Sequence, residues 1–292
     1  MSPHRVEPAS DALRKSIPAF LVVGAQKAGT STYVALLEQH PEVYVHPQET
    51  FFFNAHSTEE CLNKIGEYQG LFAEAGNKVA GEKCGAYCND PDVPGRIRKC
   101  LPDVRLIWLL REPVSRSYSG YWHAVLRGKE NRSFDRAIRE EPTVQRADDL
   151  QNYASRSWYA IQIKRYLEYF DRSRMLFILY EQLIRDPNSV LRDTWGFLGV
   201  NREFVVPDER KRRNPTGGTP RSVYLYWYCY RHFGPDSTVF RLQHRLNRYR
   251  SVAYPGMRAD TRELLLRYFQ PRNRELAEIT GLDLSVWGRK GM

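Results

Sequence analysis

Residues 20–32 read Phe-Leu-Val-Val-Gly-Ala-Gln-Lys-Ala-Gly-Thr-Ser-Thr, a hydrophobic strand that runs into a glycine-containing turn and then into a helix. Gly24 and Gly29 have the spacing of a P-loop, in which backbone amides and a helix N-terminus hold a phosphate. A nucleotide triphosphatase places lysine directly after the second glycine, whereas this chain has Thr30 there and its lysine earlier, at Lys27. The stretch therefore predicts a phosphate-binding loop whose donor is different from ATP.

Hydrophobic segments alternate with helical patterns along the chain. Strands are predicted at residues 20–23, 79–83, 104–110 and 175–180, an extended stretch at 41–53, and helices between and after them. Strands that alternate with helices are typical of a parallel sheet covered on both faces. The predicted fold is α/β: a single P-loop-like domain with a central parallel sheet flanked by helices and with a helical C-terminal cap.

One domain is expected to take up most of the chain. Residues 1–16 are polar and predict a flexible N-terminal arm, and residues 17–292 contain no convincing domain boundary. Within them, residues 209–222 are basic, contain Pro215, Pro220 and a pair of glycines, and predict a mobile loop over the cofactor or substrate.

The composition favours an anionic ligand. The chain has 44 Lys and Arg against 34 Asp and Glu, a formal net charge of +10; nucleic acid stays open as a less favoured partner. Five cysteines at spacings that do not match a zinc site indicate free thiols in a reducing compartment, and no metal is expected. No stretch approaches the ~18 apolar residues of a membrane span, so a soluble, cytoplasmic protein that does not use a membrane is expected.

A second motif follows the most hydrophobic predicted strand. A nucleotide triphosphatase commonly ends such a strand with an aspartate that holds magnesium, but this one ends at Arg111. An arginine at the carboxyl end of a sheet strand lies where ligands bind in open α/β folds, and its fork suits a phosphate. Ser119 follows two helical turns later and is expected on the same side. An ion pair of Arg111 with Glu112 is the structural alternative.

These motifs together resemble those of the PAPS-dependent sulfotransferases. Their sequence is closer to the carbohydrate (heparan-type) and bacterial small-molecule branches of that family than to its cytosolic aryl branch. The resemblance implies that the 5′-phosphosulfate is held by one run of residues: Lys27, Ala28, Gly29, Thr30, Ser31 and Thr32. It also implies that Arg111 and Ser119 hold the 3′-phosphate. Arg213 and Arg221, in the basic 209–222 loop, are expected to contact the donor, unless that loop is simply solvated.

Two further segments carry catalytic residues in the same family. Residues 48–53 resemble the segment whose glutamate is the general base, which implies that role for Glu49, with Gln48 replacing the family's lysine. The phenylalanines at 51–53 predict apolar surroundings that would strengthen this base. Residues 82–87 resemble the segment whose lysine lies at the reaction centre, which implies Lys83. His46 or His56 is the alternative base.

The function expected from the resemblance is transfer of a sulfuryl group from PAPS to a hydroxyl or amino group of a small-molecule acceptor, such as a natural product, toxin or sugar, with release of PAP. Lys27 would stabilise the charge that builds on the departing phosphate. A P-loop kinase of a small metabolite and a basic nucleic-acid-binding module are the alternatives. A homodimer stays open, and the aromatic run at 224–230 would either pack or line the acceptor pocket.

Overall fold

The computed structural model describes residues 18–141, 151–208, 219–248 and 254–288. The predicted arm at 1–16, Arg213 and most of the predicted 209–222 loop lie outside these residues. Contacts group the chain into two compact units: Met1–Arg111, Tyr159–Arg213 and Ala277–Met292 form the first, and Glu112–Trp158 with Asn214–Leu276 form the second.

The first unit is built on a five-stranded parallel sheet. Its strands are β1 (Phe20–Gly24), β2 (Val43–Val45), β3 (Val79–Lys83), β4 (Arg105–Leu110) and β5 (Met175–Leu179), in the order β2-β3-β1-β4-β5. All neighbouring strands are parallel, and Val22 of β1 lies beside Lys83 of β3 and Ile107 of β4. Every residue of β1 is buried because helices cover both faces of the sheet. The predicted α/β fold with a parallel sheet is confirmed.

The helices of eight residues or more mostly follow the predicted pattern. In chain order the helices are α1 (Thr30–Leu37), α2 (Phe52–Ala55), α3 (Thr58–Gly70), α4 (Val93–Cys100), α5 (Pro113–Leu126), α6 (Phe134–Arg139), α7 (Tyr159–Leu167), α8 (Tyr180–Arg185), α9 (Pro187–Leu198), α10 (Val223–Phe233), α11 (Thr238–Leu246) and α12 (Ala259–Thr280). The short helix α2 corrects the prediction that residues 41–53 are extended throughout.

Local sequence signals explain where several helices begin and end. Ser57 accepts a hydrogen bond from the Glu60 amide while the Glu60 side chain accepts one from the Ser57 amide, so a capping box starts α3. Asp186 accepts from the Ser189 amide and starts α9, which Gly199 ends in the left-handed conformation. Glu112 accepts from two amides at the start of α5, so it caps that helix.

The second unit is helical in the part that the structure describes, as expected for the C-terminal region. Its core combines aromatic residues of α5 with Phe134 of α6 and with Leu265 and Phe269 of α12. Arg116 is buried there and donates hydrogen bonds to the Ser157 hydroxyl and the Tyr153 carbonyl oxygen. Among the described helices of both units, none combines the length and the apolar character needed to cross a membrane.

Candidate functional site

The turn between β1 and α1 has the backbone of an anion-binding loop. Lys27 and Gly29 both have positive φ angles, 70° and 86°. A Cβ on Gly29 would lie 2.4 Å from Cδ2 of Tyr180, so a side chain is excluded there by space as well as by conformation. Ala28 is fully buried, and its amide donates to the Ala25 carbonyl oxygen at 3.0 Å, which closes the turn. Glycine at position 29 is therefore required by both the turn and its neighbour.

The N-terminus of α1 is open for an anion. No side chain caps it, and the first hydrogen bond of the helix runs from the Tyr33 amide to the Gly29 carbonyl oxygen. The amides of Thr30, Ser31 and Thr32 precede that bond, so they have no acceptor within the helix. Such amides and the positive end of the helix dipole together favour a bound phosphate or sulfate.

Three predicted residues meet beside this loop. The Lys83 ammonium at the end of β3 forms an ion pair with the Glu49 carboxylate, and its Nζ lies 3.5 Å from the Ser31 hydroxyl of α1. The Lys83 side chain is 18% exposed and the Glu49 side chain is 31% exposed, so both remain accessible to a substrate. Strands β2, β3 and β1 are neighbours, and ligands of open α/β folds bind at the carboxyl ends of such strands.

The apolar surroundings expected for Glu49 belong to a different glutamate. Phe51 is 45% exposed, and Phe52 and Phe53 are buried against Tyr68 instead. The Tyr68 hydroxyl in turn donates to Glu82, which is fully buried. Glu49 is a half-exposed carboxylate paired with a cation, so this part of the sequence prediction is wrong. The physical reason is that α2 begins at Phe52, and the rings of its first two residues pack on Tyr68 of α3.

The two histidines considered as alternative bases are bound to nearby backbone. Nδ1 of His46 lies 3.0 Å from the Gln48 carbonyl oxygen, and Nδ1 of His56 lies 3.0 Å from the Phe52 carbonyl oxygen. Of the three candidate bases, Glu49 is the one that pairs with Lys83, whose ammonium lies beside Ser31 of α1.

Arg111 lies behind the phosphate loop. Its Nη1 donates to the Lys27 carbonyl oxygen at 3.2 Å, and its guanidinium lies 4.8 Å from the centre of the Tyr180 ring. The Tyr159 hydroxyl donates to the Arg111 carbonyl oxygen at 3.1 Å. Because Tyr180 also packs under Gly29, Arg111 and Tyr180 together support the shape of the loop.

The remaining predicted site residues lie elsewhere in the chain. Ser119 is buried in the second unit, with its hydroxyl 3.4 Å from that of Tyr254. Arg221 belongs to the same unit and is exposed, and Arg213 lies outside the described residues. In the aromatic run, Tyr226 is buried while Tyr224 and Tyr228 are exposed. Their predicted roles toward donor and acceptor stay predictions.

Sequence reasoning missed two residues that shape this site, Glu82 and Tyr180. Each left a signal: Glu82 is an acidic residue inside the buried strand β3, and Tyr180 directly follows the carboxyl end of β5. Within the described residues, no group of three or more His, Cys, Asp and Glu side chains is placed to hold a metal ion. None of the five cysteines forms a disulfide.

Comparison with known proteins gives this geometry a context. A model of the sulfotransferase domain matches residues 18–213. The heparan sulfate glucosamine 3-O-sulfotransferase 3B1 of Mus musculus is 25% identical over 275 residues, which cover 94% of this chain and 66% of that protein. The bifunctional heparan sulfate N-deacetylase/N-sulfotransferase 4 of the same species is 27% identical, with 94% of this chain and 31% of that protein covered. The chain thus spans less than two thirds of the length of these curated relatives.

A solved structure supports the same assignment. The sulfotransferase from Alicyclobacillus acidocaldarius superposes with a TM-score of 0.70 at 29% identity, over 93% of this chain and 99% of that one. The family model covers more than half of the chain, and it includes the phosphate loop, Glu49, Lys83 and Arg111. The chain belongs to the sulfotransferase family of enzymes.

Proposed function

We propose that this protein transfers a sulfuryl group from PAPS to a hydroxyl or amino group of a small-molecule acceptor and releases PAP. The observation that carries the proposal is the convergence of Glu49, Lys83 and Ser31 beside an uncapped helix N-terminus. A base, a cation and an anion-binding loop are the groups that such a transfer needs.

Glu49 takes the role of general base in this proposal. The acceptor oxygen or nitrogen forms a bond to sulfur, the bond between sulfur and the bridging oxygen of PAPS breaks, and Glu49 receives the acceptor's proton. Lys83 holds the carboxylate in place through its ammonium group. A positioned carboxylate that is still 31% exposed can reach an acceptor from solvent.

The phosphate loop takes the departing phosphate. Negative charge builds on the bridging oxygen as the bond to sulfur breaks, and it stays on PAP. Lys27 and the free amides at the start of α1 are preorganised to stabilise that charge. The 3′-phosphate of the donor is assigned by resemblance to Arg111 and Ser119, with Arg213 and Arg221 as further contacts.

The acceptor is proposed as a small molecule that carries a hydroxyl or an amine, sugars included. The names of the two mouse relatives specify an O-sulfotransferase and an N-sulfotransferase, so the family offers precedents for both acceptor atoms. A panel of amino sugars, phenols and aliphatic alcohols incubated with sulfur-labelled PAPS distinguishes these classes by the labelled product. A cytoplasmic location and a homodimer remain predictions, which cell fractionation and light scattering test.

A ligand-dependent shift in unfolding temperature tests the donor. A ligand that binds only the folded protein adds RT ln(1 + [L]/Kd), about 2.7 kcal/mol at a hundredfold excess over Kd. We expect PAP to raise the unfolding temperature and ADP with magnesium to leave it nearly unchanged. The reverse order would favour the kinase alternative, and a steep salt-dependent affinity for nucleic acid without a PAP effect would favour the nucleic-acid-binding module.

A further inference from the structure

Two consecutive residues of one segment pair with two consecutive residues of a strand. Glu49 pairs with Lys83, and Thr50 pairs with Glu82 through its hydroxyl at 2.8 Å and its amide at 3.3 Å. Successive side chains of a strand point to opposite faces of the sheet. Residues 49 and 50 therefore contact side chains that lie on opposite faces of the sheet at the end of β3.

Glu82 is a buried hydrogen-bond acceptor. It is fully buried, and its Oε1 accepts from the hydroxyls of Tyr68 and Tyr87, both at 2.7 Å, while its Oε2 accepts from Thr50. Burial raises the pKa of the Glu82 carboxyl, and these hydrogen bonds counteract part of the rise. A buried carboxyl is costly unless such partners satisfy it, and these four bonds satisfy it.

Glu49 needs a second anchor because its own ion pair is partly exposed. Ion pairs that solvent can reach hold two flexible side chains only weakly. The Thr50 backbone, one residue away, is held by a buried acceptor, and the Thr50 hydroxyl also accepts from the Phe52 amide at 3.2 Å as the chain enters α2. The backbone that carries Glu49 is thus positioned from the face of the sheet opposite to Lys83.

We propose that Glu82 is a positioning residue, which holds Thr50 and thereby fixes the Glu49 carboxylate against Lys83 for proton removal. This inference rests on the proposed function, because it assigns Glu82 a role in the turnover that Glu49 performs. Glu82 itself, being fully buried, does not touch the substrate.

Thr50→Val tests the link, with Tyr68→Phe as its matched control. Thr50→Val removes the hydroxyl that donates to Oε2 of Glu82. Tyr68→Phe removes a hydroxyl that donates to Oε1 and keeps the ring that stacks on Phe52. We expect Thr50→Val to lower kcat by ~10²-fold, the usual effect of a misplacement of about 1 Å, without changing the Kd for PAP. Tyr68→Phe should lower the unfolding temperature and leave kcat near the wild-type value, and Thr50→Ser should also keep kcat near that value because it retains the hydroxyl.

Hydrogen–deuterium exchange provides a readout that is independent of activity. The Thr50 amide donates to Glu82, so we expect its exchange to accelerate in Glu82→Gln and Thr50→Val and to stay slow in Thr50→Ser. The inference is overturned if Thr50→Val keeps wild-type kcat, or if it and Tyr68→Phe lower kcat equally and in proportion to lost stability. Failure of the proposed function looks different: the wild-type protein would transfer no label from PAPS while the exchange pattern at Thr50 stayed as expected.

Discussion

Gly29→Ala offers a measure of how tightly the phosphate loop is built. Gly29 has a φ angle of 86°, and a Cβ there would lie 2.4 Å from Cδ2 and 2.7 Å from Cε2 of Tyr180. The left-handed conformation costs a residue with a Cβ about 1–2 kcal/mol. Overpacking against the half-buried Tyr180 ring adds about 1–3 kcal/mol. We therefore expect the free energy of unfolding to fall by about 2–5 kcal/mol.

Gly281→Ala is the matched control. Gly281 directly follows α12, its amide donates to the Ala277 carbonyl oxygen, and it has a φ angle of 72° with no heavy atom within 4 Å of the Cβ it would acquire. This variant carries the conformational cost alone, about 1–2 kcal/mol. The difference between the two variants isolates the contact with Tyr180. Denaturant titration of both variants beside the wild type measures it.

The same pair of variants connects the loop to donor binding. Tyr180 contacts Arg111, which donates to the Lys27 carbonyl oxygen. A ring displaced by the new methyl group therefore disturbs the loop, so calorimetry should show weaker PAP binding in Gly29→Ala and wild-type binding in Gly281→Ala. Equal losses of stability in the two variants, or wild-type PAP affinity in Gly29→Ala, would refute this account of the loop.

Four further predictions concern the site and its support. Glu49→Gln should lower kcat by ~10²–10⁴-fold with PAP affinity retained; retained turnover, together with loss of turnover in His46→Ala, would make the histidine the base. Lys27→Ala should lower kcat more than it raises the KM for PAPS, because charge on the leaving phosphate appears only as the bond breaks; a pure KM effect in steady-state kinetics would limit Lys27 to ground-state binding. Arg111→Ala should weaken PAP binding by about 1.5–3 kcal/mol in calorimetry, as for loss of a charged hydrogen bond, and unchanged affinity would contradict its assignment. Burial lowers the pKa of His40 below its ordinary value of 6.5. As the pH falls, the unfolded chain therefore binds a proton at this histidine before the folded protein does, and the free energy of unfolding should decrease from about pH 6.5 downward. Denaturant titration at several pH values should show a weaker dependence of this free energy on pH in His40→Gln.

The fold was predictable where local signals are strong. The strands at 20–24, 79–83 and 105–110 appear in the sequence as short hydrophobic runs, and capping residues such as Asp186 and Gly199 indicate helix ends. The four-residue helix α2 was not predictable because one turn of helix carries no periodic pattern. Its hydrogen bonds depend on Thr50, and the position of Thr50 depends on Glu82.

The candidate site was likewise predictable from the sequence only in part. The spacing of Gly24, Lys27 and Gly29 indicates an anion-binding loop because the chemistry lies within a few residues of one another. The surroundings of Glu49 could not be read from its neighbours in sequence. Two of the phenylalanines that follow it pack on Tyr68, which donates to Glu82, about thirty positions further along the chain than Glu49.

The sequence by itself determined the class of fold, the phosphate loop and the residue types that a sulfuryl transfer needs, because these depend on local backbone preferences and short spacings. Only the tertiary structure decided that Lys83 pairs with Glu49, that Glu82 holds Thr50 and that Tyr180 packs under Gly29. Those contacts join segments that are distant along the chain, and they depend on the strand order β2-β3-β1-β4-β5. Local patterns do not specify that order, since it follows from which packed arrangement buries the hydrophobic faces of all the elements together.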